Sequence, residues 1–336
     1  MVKEKNMIDL NRIYHDEIPS FLRPYMLAGT MQRLKGIDMN CGMNYTSFPL
    51  FLKMDPYSRY SHSLGTALIV WHFTNDRKQC LAGLFHDIAT PAFSHVVDFM
   101  NGDHVKQEST EDNTAHSISA SDEIMDLLSA DGILLDEVAD YHRYSVADNC
   151  SPHLSADRLE YTCGDAIEYR FCSHEQIASM FADIHVLSDE EGNPELGFEN
   201  TEKAVLFAET ALKCGRVYSS KEDRYGMERL AELLKKAVQK NILKQSDLYH
   251  DEEYTAAILK DSSLGGEWKQ FCSLSSVQES CRHEDGSICV NAKKRWINPL
   301  VRDRGRVFDI SESFRIEAEE FLKESYEEEW LRGDTY

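Results

Sequence analysis

Basic residues are scarce in this chain, with 36 Lys and Arg against 58 Asp and Glu and a formal net charge of −22. Sequence-independent binding to duplex nucleic acid or to an anionic membrane rests on many Lys/Arg contacts to phosphate, so this balance argues against both partners. Long apolar runs are missing as well. The longest, such as Ala67 to Val70 and Leu81 to Phe85, fall far short of the ~20 residues that cross a bilayer. The start, MVKEKNMIDLNR, lacks the apolar region of a signal peptide, and the expectation is a soluble protein of the cytoplasm. The nine cysteines form no CxxC pair, which argues against a disulfide framework and suits a reducing compartment. Cys272, Cys281, His283 and Cys289 come nearest to a zinc site, but their spacing fits no common finger, so unpaired thiols are expected instead. Internal repeats and Pro/Gly linkers are absent, and strand-like runs are few and short.

What remains is enough for a core, at 42% hydrophobic and 10% aromatic residues over 336 positions. That length suits two or three domain-sized units, or one large helical domain with additions. Helical periodicity dominates. Leu64, Ala67, Leu68 and Trp71 form one stripe and Ile124, Leu127 and Leu128 another; further helices are expected over 203–221 and about 227–243, and RIEAEEFLKESYEEEWL predicts a closing helix. Polar stretches at 101–115 and 188–202 read as surface loops. Between 285 and 310, apolar residues alternate with polar ones around the KKR run at 293–295 and the RDRGR run at 302–306. The fold class is therefore all-α, a helical bundle with a small β element near the C-terminus. The two basic runs suggest an anion-facing surface or a self-association surface of a homo-oligomer, with internal pairing to the acidic C-terminal helix as the alternative.

Four segments bring His or Asp to a helix end or face: RYSHSLG from Arg59, HDIATPAFSH from His86, Asn113–His116, and DRLEYTCGD from Asp157. One helix presents neighbours only at i, i+3 or i+4, so a divalent cation held by imidazoles and carboxylates needs ligands converging from several helices. The adjacent His86-Asp87 pair ends the apolar run LAGLF and is costly to bury unpaired; coordination would satisfy both groups.

The order His62, then His86-Asp87, then Asp157 resembles the HD phosphohydrolase superfamily. The flanks MQRLKGIDMNCG, RYSHSLG, HDIATPAFSH and DRLEYTCGD, with Arg216, Val217, Tyr218 and Lys221 further on, are similar to the branch of dGTP and dNTP triphosphohydrolases over roughly residues 30–260. This resemblance implies one divalent transition metal (Fe, Mn, Ni, Zn or Co) on His62, His86, Asp87 and Asp157, with Mg²⁺ accompanying the nucleotide. It implies catalytic roles for His95 and His116 as proton donor or phosphate-orienting groups, with Asp98 as their orienting carboxylate; His104, in the same polar loop as His116, is the alternative to it. Arg59 matches the arginine that contacts substrate phosphate. Tyr161 and Asp165 match residues that stack on the sugar and accept its 3′-hydroxyl, and Arg158, Tyr218 and Lys221 fall among substrate-binding positions.

Departures from the pattern are local. Ala89 and Thr90 stand where the family has Gly-His, so one phosphate-facing histidine is missing, Ala92 replaces a proline, and Met39 takes the place of a base-pocket glutamine. His142, beside Asp140, and His116 lie where some relatives bind a second metal; the flanking motifs favour one. The implied organisation is an N-terminal helical segment with a base-pocket loop (1–50), the HD core (51–185), a helical extension completing the substrate site (186–284), and the β element with the acidic helix (285–336). The implied function is hydrolysis of a deoxynucleoside triphosphate to nucleoside and triphosphate. The alternatives are another phosphoester (a nucleoside monophosphate, a cyclic dinucleotide or a guanosine alarmone) and nucleotide sensing without turnover.

Overall fold

A computed structural model describes residues 10–102, 113–282 and 284–335; His104 and His283 lie outside the described residues. Among the described residues, ten helices of eight residues or more form the body: α1 (Arg59–Thr74), α2 (Arg77–Phe85), α3 (Asp122–Asp131), α4 (Ala156–Glu168), α5 (His174–Phe181), α6 (Thr201–Tyr218), α7 (Lys221–Gln239), α8 (Glu252–Asp261), α9 (Gly265–Cys272) and α10 (Glu312–Lys323). Small polar residues start them where the chain turns. Ser58 accepts from the Ser61 amide ahead of α1, Asp76 from Lys78 and Gln79 ahead of α2, and Ser155 from Arg158 ahead of α4. Asn200 and Ser220 cap α6 and α7 in the same way, so α7 begins at Lys221 rather than near Met227.

Every residue of α1 from His62 to Val70 is buried. A helix covered on all sides must lie in the middle of its bundle, and α2 and α4 pack against it. The crossing with α4 requires Gly65, because a Cβ there would overlap the Glu160 carboxylate. Gly65→Ala should therefore lower stability by about 1–3 kcal/mol, the cost of overpacking a tight contact. Urea unfolding checks this against Gly83→Ala, whose added methyl meets only ordinary contacts; equal losses would mean that the crossing tolerates the methyl.

Two apolar clusters result. The first gathers residues of α1, α2, α4 and α6 with Phe314 and Phe321 of α10; the second gathers Phe48, Phe93, Leu230, Leu234 and Trp268 around α7 and α9. A cavity of about 520 Å³ lies along their seam, with Met39 from the first group and Cys41 and Met227 from the second in its wall.

The β structure is slight, as the sequence pattern suggests. Strands β1 (Ile184–Ser188) and β2 (Pro194–Phe198) form an antiparallel hairpin, joined in parallel by β4 (Leu300–Val301), which pairs with β5 (Gly305–Arg306). A second sheet pairs β3 (Leu274–Glu279) with β6 (Leu331–Thr335). The region 188–202 is thus not one loop but the second half of a hairpin. Its acidic composition hides the strand, because Glu195 is buried with partners from distant segments: Arg306 Nη1 and Nη2 bond its carboxylate at 3.0 and 2.9 Å, and the Leu154 amide donates to it at 3.1 Å. The closing helix also stops at Lys323 instead of reaching Leu331. Lys294 donates to the carbonyls of Phe321 (2.7 Å) and Leu322 (2.9 Å) at that end, and the remainder turns into β6. In the RDRGR run, Arg302 pairs with Glu199 and Arg306 with Glu190 and Glu195, so these two cations meet the hairpin instead of the acidic helix.

Candidate metal centre and substrate cavity

His62 on the first turn of α1, His86 at the end of α2, Asp87 beyond it, and Asp157 on the first turn of α4 meet at one wall of the cavity. The ligand atoms of His62, His86 and Asp87 all lie within 4.8 Å of one another. The two Nε2 atoms are 3.0 Å apart, and Asp157 Oδ1 is 3.0 Å from that of His62 and 3.5 Å from that of His86.

The ring nitrogens on the far sides are engaged. His62 Nδ1 lies 2.6 Å from Glu160 Oε2, and His86 Nδ1 lies 2.7 Å from the Gly83 carbonyl oxygen. Acceptors there fix each Nδ1 as the N–H and aim each Nε2 at the shared centre. Two imidazole nitrogens and two carboxylates converging in this way demand positive charge. In the protein alone a proton supplies it: burial opposes the charge, but the bonds to Asp157 and Glu160 prevail and lift His62 to about 10. Burial would also raise Asp87, but Arg59, His86 and His62 hold it well below the usual carboxylate range. This donor set, mixed nitrogen and oxygen with open sides toward a cavity, fits a divalent transition metal.

Further support for the centre comes from Glu160 and Tyr141, to which the sequence pattern assigns no role. Glu160 is fully enclosed, with Tyr57 donating to the oxygen that meets His62. Its place one turn after Asp157 was the available signal. Tyr141 lies against His86 with ring centroids 5.0 Å apart. Thr90 donates to Asp87 Oδ1 at 2.9 Å and so orients a candidate ligand.

Arg59 is buried and donates to Asp87 Oδ2 at 2.9 Å and to Ser94 Oγ at 3.1 Å. His95 lines the same cavity, and its Nδ1 is 2.9 Å from Asp98 Oδ2. Burial pushes the His95 imidazole down, Arg59 and Arg295 push it further, and the bond to Asp98 only partly offsets them. Arg158 faces the cavity and pairs with Asp148 at 2.9 Å. Tyr161 stands 6.4 Å from His62, ring to ring, and Tyr218 donates to Asp165, whose carboxyl is lifted by burial to about 7.

Two residues of the sequence-based set are elsewhere. His116 is exposed on a short helix, Thr114–Ser119, and does not line the cavity. Lys221 pairs with Glu279 at 2.6 Å and Glu329 at 3.4 Å, also outside the cavity wall. His142 does line it, 3.2 Å from Asp140 and 3.4 Å from Asp148, but it is not part of the His/Asp group around His62. Cys272, Cys281 and Cys289 form no metal-like cluster among the described residues. Lys293 and Arg295 join the cavity wall from the C-terminal region.

No family profile matches the chain. It is 28% identical over 250 residues to the uncharacterized protein YdhJ of Bacillus subtilis, covering 73% of this chain and 72% of that one. It is 24% identical over 226 residues to the metal-dependent phosphohydrolase cns2 of Cordyceps militaris, covering 66% of this chain and 61% of that protein. The fold matches the crystal structure of a hypothetical protein from Aquifex aeolicus with a TM-score of 0.65 at 15% identity, over 94% of this chain and 93% of that one. None of the helices among the described residues is long and apolar enough to cross a membrane.

Proposed function

We propose that this chain is a metal-dependent phosphohydrolase of the HD type that cleaves a deoxynucleoside triphosphate into nucleoside and inorganic triphosphate. The observation that carries the reading is the convergence of His62, His86, Asp87 and Asp157 on one wall of a cavity that also holds Arg59, Arg158 and His95. The similarity to a protein named a metal-dependent phosphohydrolase agrees with the hydrolytic part. Bound at this centre, a divalent metal would supply a Lewis acid and a water of lowered pKa.

The chain's own groups do the rest. The guanidinium of Arg59, held by Asp87 and Ser94, presents fixed positive charge to phosphate oxygens. His95, with its tautomer set by Asp98, offers a site from which a proton reaches the departing sugar oxygen. Tyr161 and Asp165 follow Asp157 on the same face of α4, so a sugar lying on them places the α-phosphate at the centre. The cavity is of the size ordinary for small-molecule sites. Thr90 in place of a phosphate-facing histidine favours, as a second reading, a shorter phosphoester such as a nucleoside monophosphate.

A screen of metal-loaded protein against nucleotides, resolving triphosphate, pyrophosphate and orthophosphate, tests the reading; orthophosphate as first product from a triphosphate would move the scissile bond to the chain's far end. Asp165→Ala should weaken a substrate with a 3′-hydroxyl by about 1.5–3 kcal/mol and leave its 3′-deoxy analogue nearly unchanged, as for a hydrogen bond to a charged group. Equal losses on both substrates in kcat/KM would make Asp165 a structural partner of Tyr218 alone.

A further inference from the structure

The segment 288–297 runs past the cavity as a strap outside the named helices and strands, pinned along its length. Ile288 bridges to Leu331, the Val290 carbonyl accepts from Arg224 Nη1 at 3.0 Å, and the Asn298 amide beyond it donates to the Pro152 carbonyl at 2.8 Å. The strap presses so closely on α6 that a Cβ at Gly215 would overlap the Arg295 carbonyl. Its side chains alternate with a period of two. Lys294 and Trp296 turn to α10, the ammonium onto the carbonyls of Phe321 and Leu322 and the indole against Phe314 with ring centroids 6.4 Å apart. Lys293 and Arg295, between and before them, line the cavity. One basic run is thereby divided into a structural lysine and two cavity cations.

We propose that Lys293 and Arg295 form a second phosphate subsite facing the metal centre, so that the cavity selects a nucleotide carrying a chain of two or more phosphates. The inference rests on the phosphohydrolase reading and names what that site binds. A monophosphate held at the centre engages the Arg59 side only, whereas a longer chain extends to a second set of cations. Arg295 lines the same cavity as His95 and Tyr161 and acts electrostatically on both.

The test uses the full metal-loaded chain with inorganic triphosphate and orthophosphate as calorimetric probes, and Lys293→Gln, Arg295→Gln and Lys294→Gln as variants. Arg295→Gln and Lys293→Gln should each weaken triphosphate binding by roughly ten- to a hundredfold, the equivalent of one charge-assisted hydrogen bond, while orthophosphate affinity changes by less than about threefold. Lys294→Gln should lower thermal stability and leave triphosphate affinity within about threefold of wild type. Unchanged triphosphate affinity in both cavity variants, or equal losses for the two probes, overturns the subsite. The parent reading is judged separately by wild-type turnover: nucleoside triphosphate cleaved normally by the variants sinks the subsite alone, whereas no turnover by wild type, with triphosphate binding still lost in the variants, sinks the hydrolase reading and leaves the subsite standing.

Discussion

His86→Ala and Asp157→Ala proteins are expected to bind a divalent transition metal at least ~100-fold more weakly than wild type and to lose turnover with it, since even partners of ligands cost 10–100-fold when removed. The two side chains come from different elements, the end of α2 and the first turn of α4, yet bring Nε2 and Oδ1 to 3.5 Å of each other. Removing either leaves a three-donor group in which Arg59 already shares Asp87. His142→Ala is the informative comparison, because His142 also lines the cavity but is tied to Asp140 and Asp148. It should keep about one metal per chain by elemental analysis, the stoichiometry of a mononuclear site. Full metal content in both His86→Ala and Asp157→Ala would remove the centre, and loss of half the metal in His142→Ala would call for a second ion.

Much of this arrangement was legible because short segments carry it. The helices that deliver His62, His86 and Asp157 show apolar periodicity and local caps, and the one-turn spacing of Asp157 and Tyr161 holds within a single helix. What depended on distant partners was not legible. Glu195 reads as part of an acidic loop until Arg306 and the Leu154 amide meet it. The run from Arg315 to Leu331 reads as one helix because the groups that divide it, Lys294 on the carbonyls of Phe321 and Leu322 and Arg224 on Glu329, are contributed from elsewhere. The basic run at 293–295 suggested anions, but only the alternation along the strap shows which of its three cations face the cavity. His116 fits a motif order and stands outside the site, because nothing in that order fixes where a polar loop returns to the bundle.

His95→Gln should cut turnover by roughly 10²–10⁴ with metal content unchanged, the range for loss of a general acid. The local backbone is built to hold this residue. Phe93 and Ser94 both adopt left-handed conformations, φ 64° and 51°, a cost that non-glycine residues bear only where the surroundings impose it. The resulting turn places the Ser94 hydroxyl on Arg59 and leaves the next residue, His95, facing the cavity against fully buried Asp98. With Nδ1 bonded to Asp98, it is Nε2 that can carry a proton to a leaving oxygen. Burial with Arg59 and Arg295 nearby depresses the imidazole, so it is neutral at pH 7 in the free protein. A bound polyanion would offset those two cations and so raise the imidazole, which would couple proton supply to substrate binding. The donating form is lost as pH rises through that raised value, so wild-type kcat should fall on the alkaline side, and the His95→Gln profile should lose that limb. His116→Gln, altering an exposed residue away from the cavity, should retain turnover within about threefold and the alkaline limb as well. Wild-type kcat in His95→Gln, or a lost limb in His116→Gln, would transfer the proton-donor role away from His95.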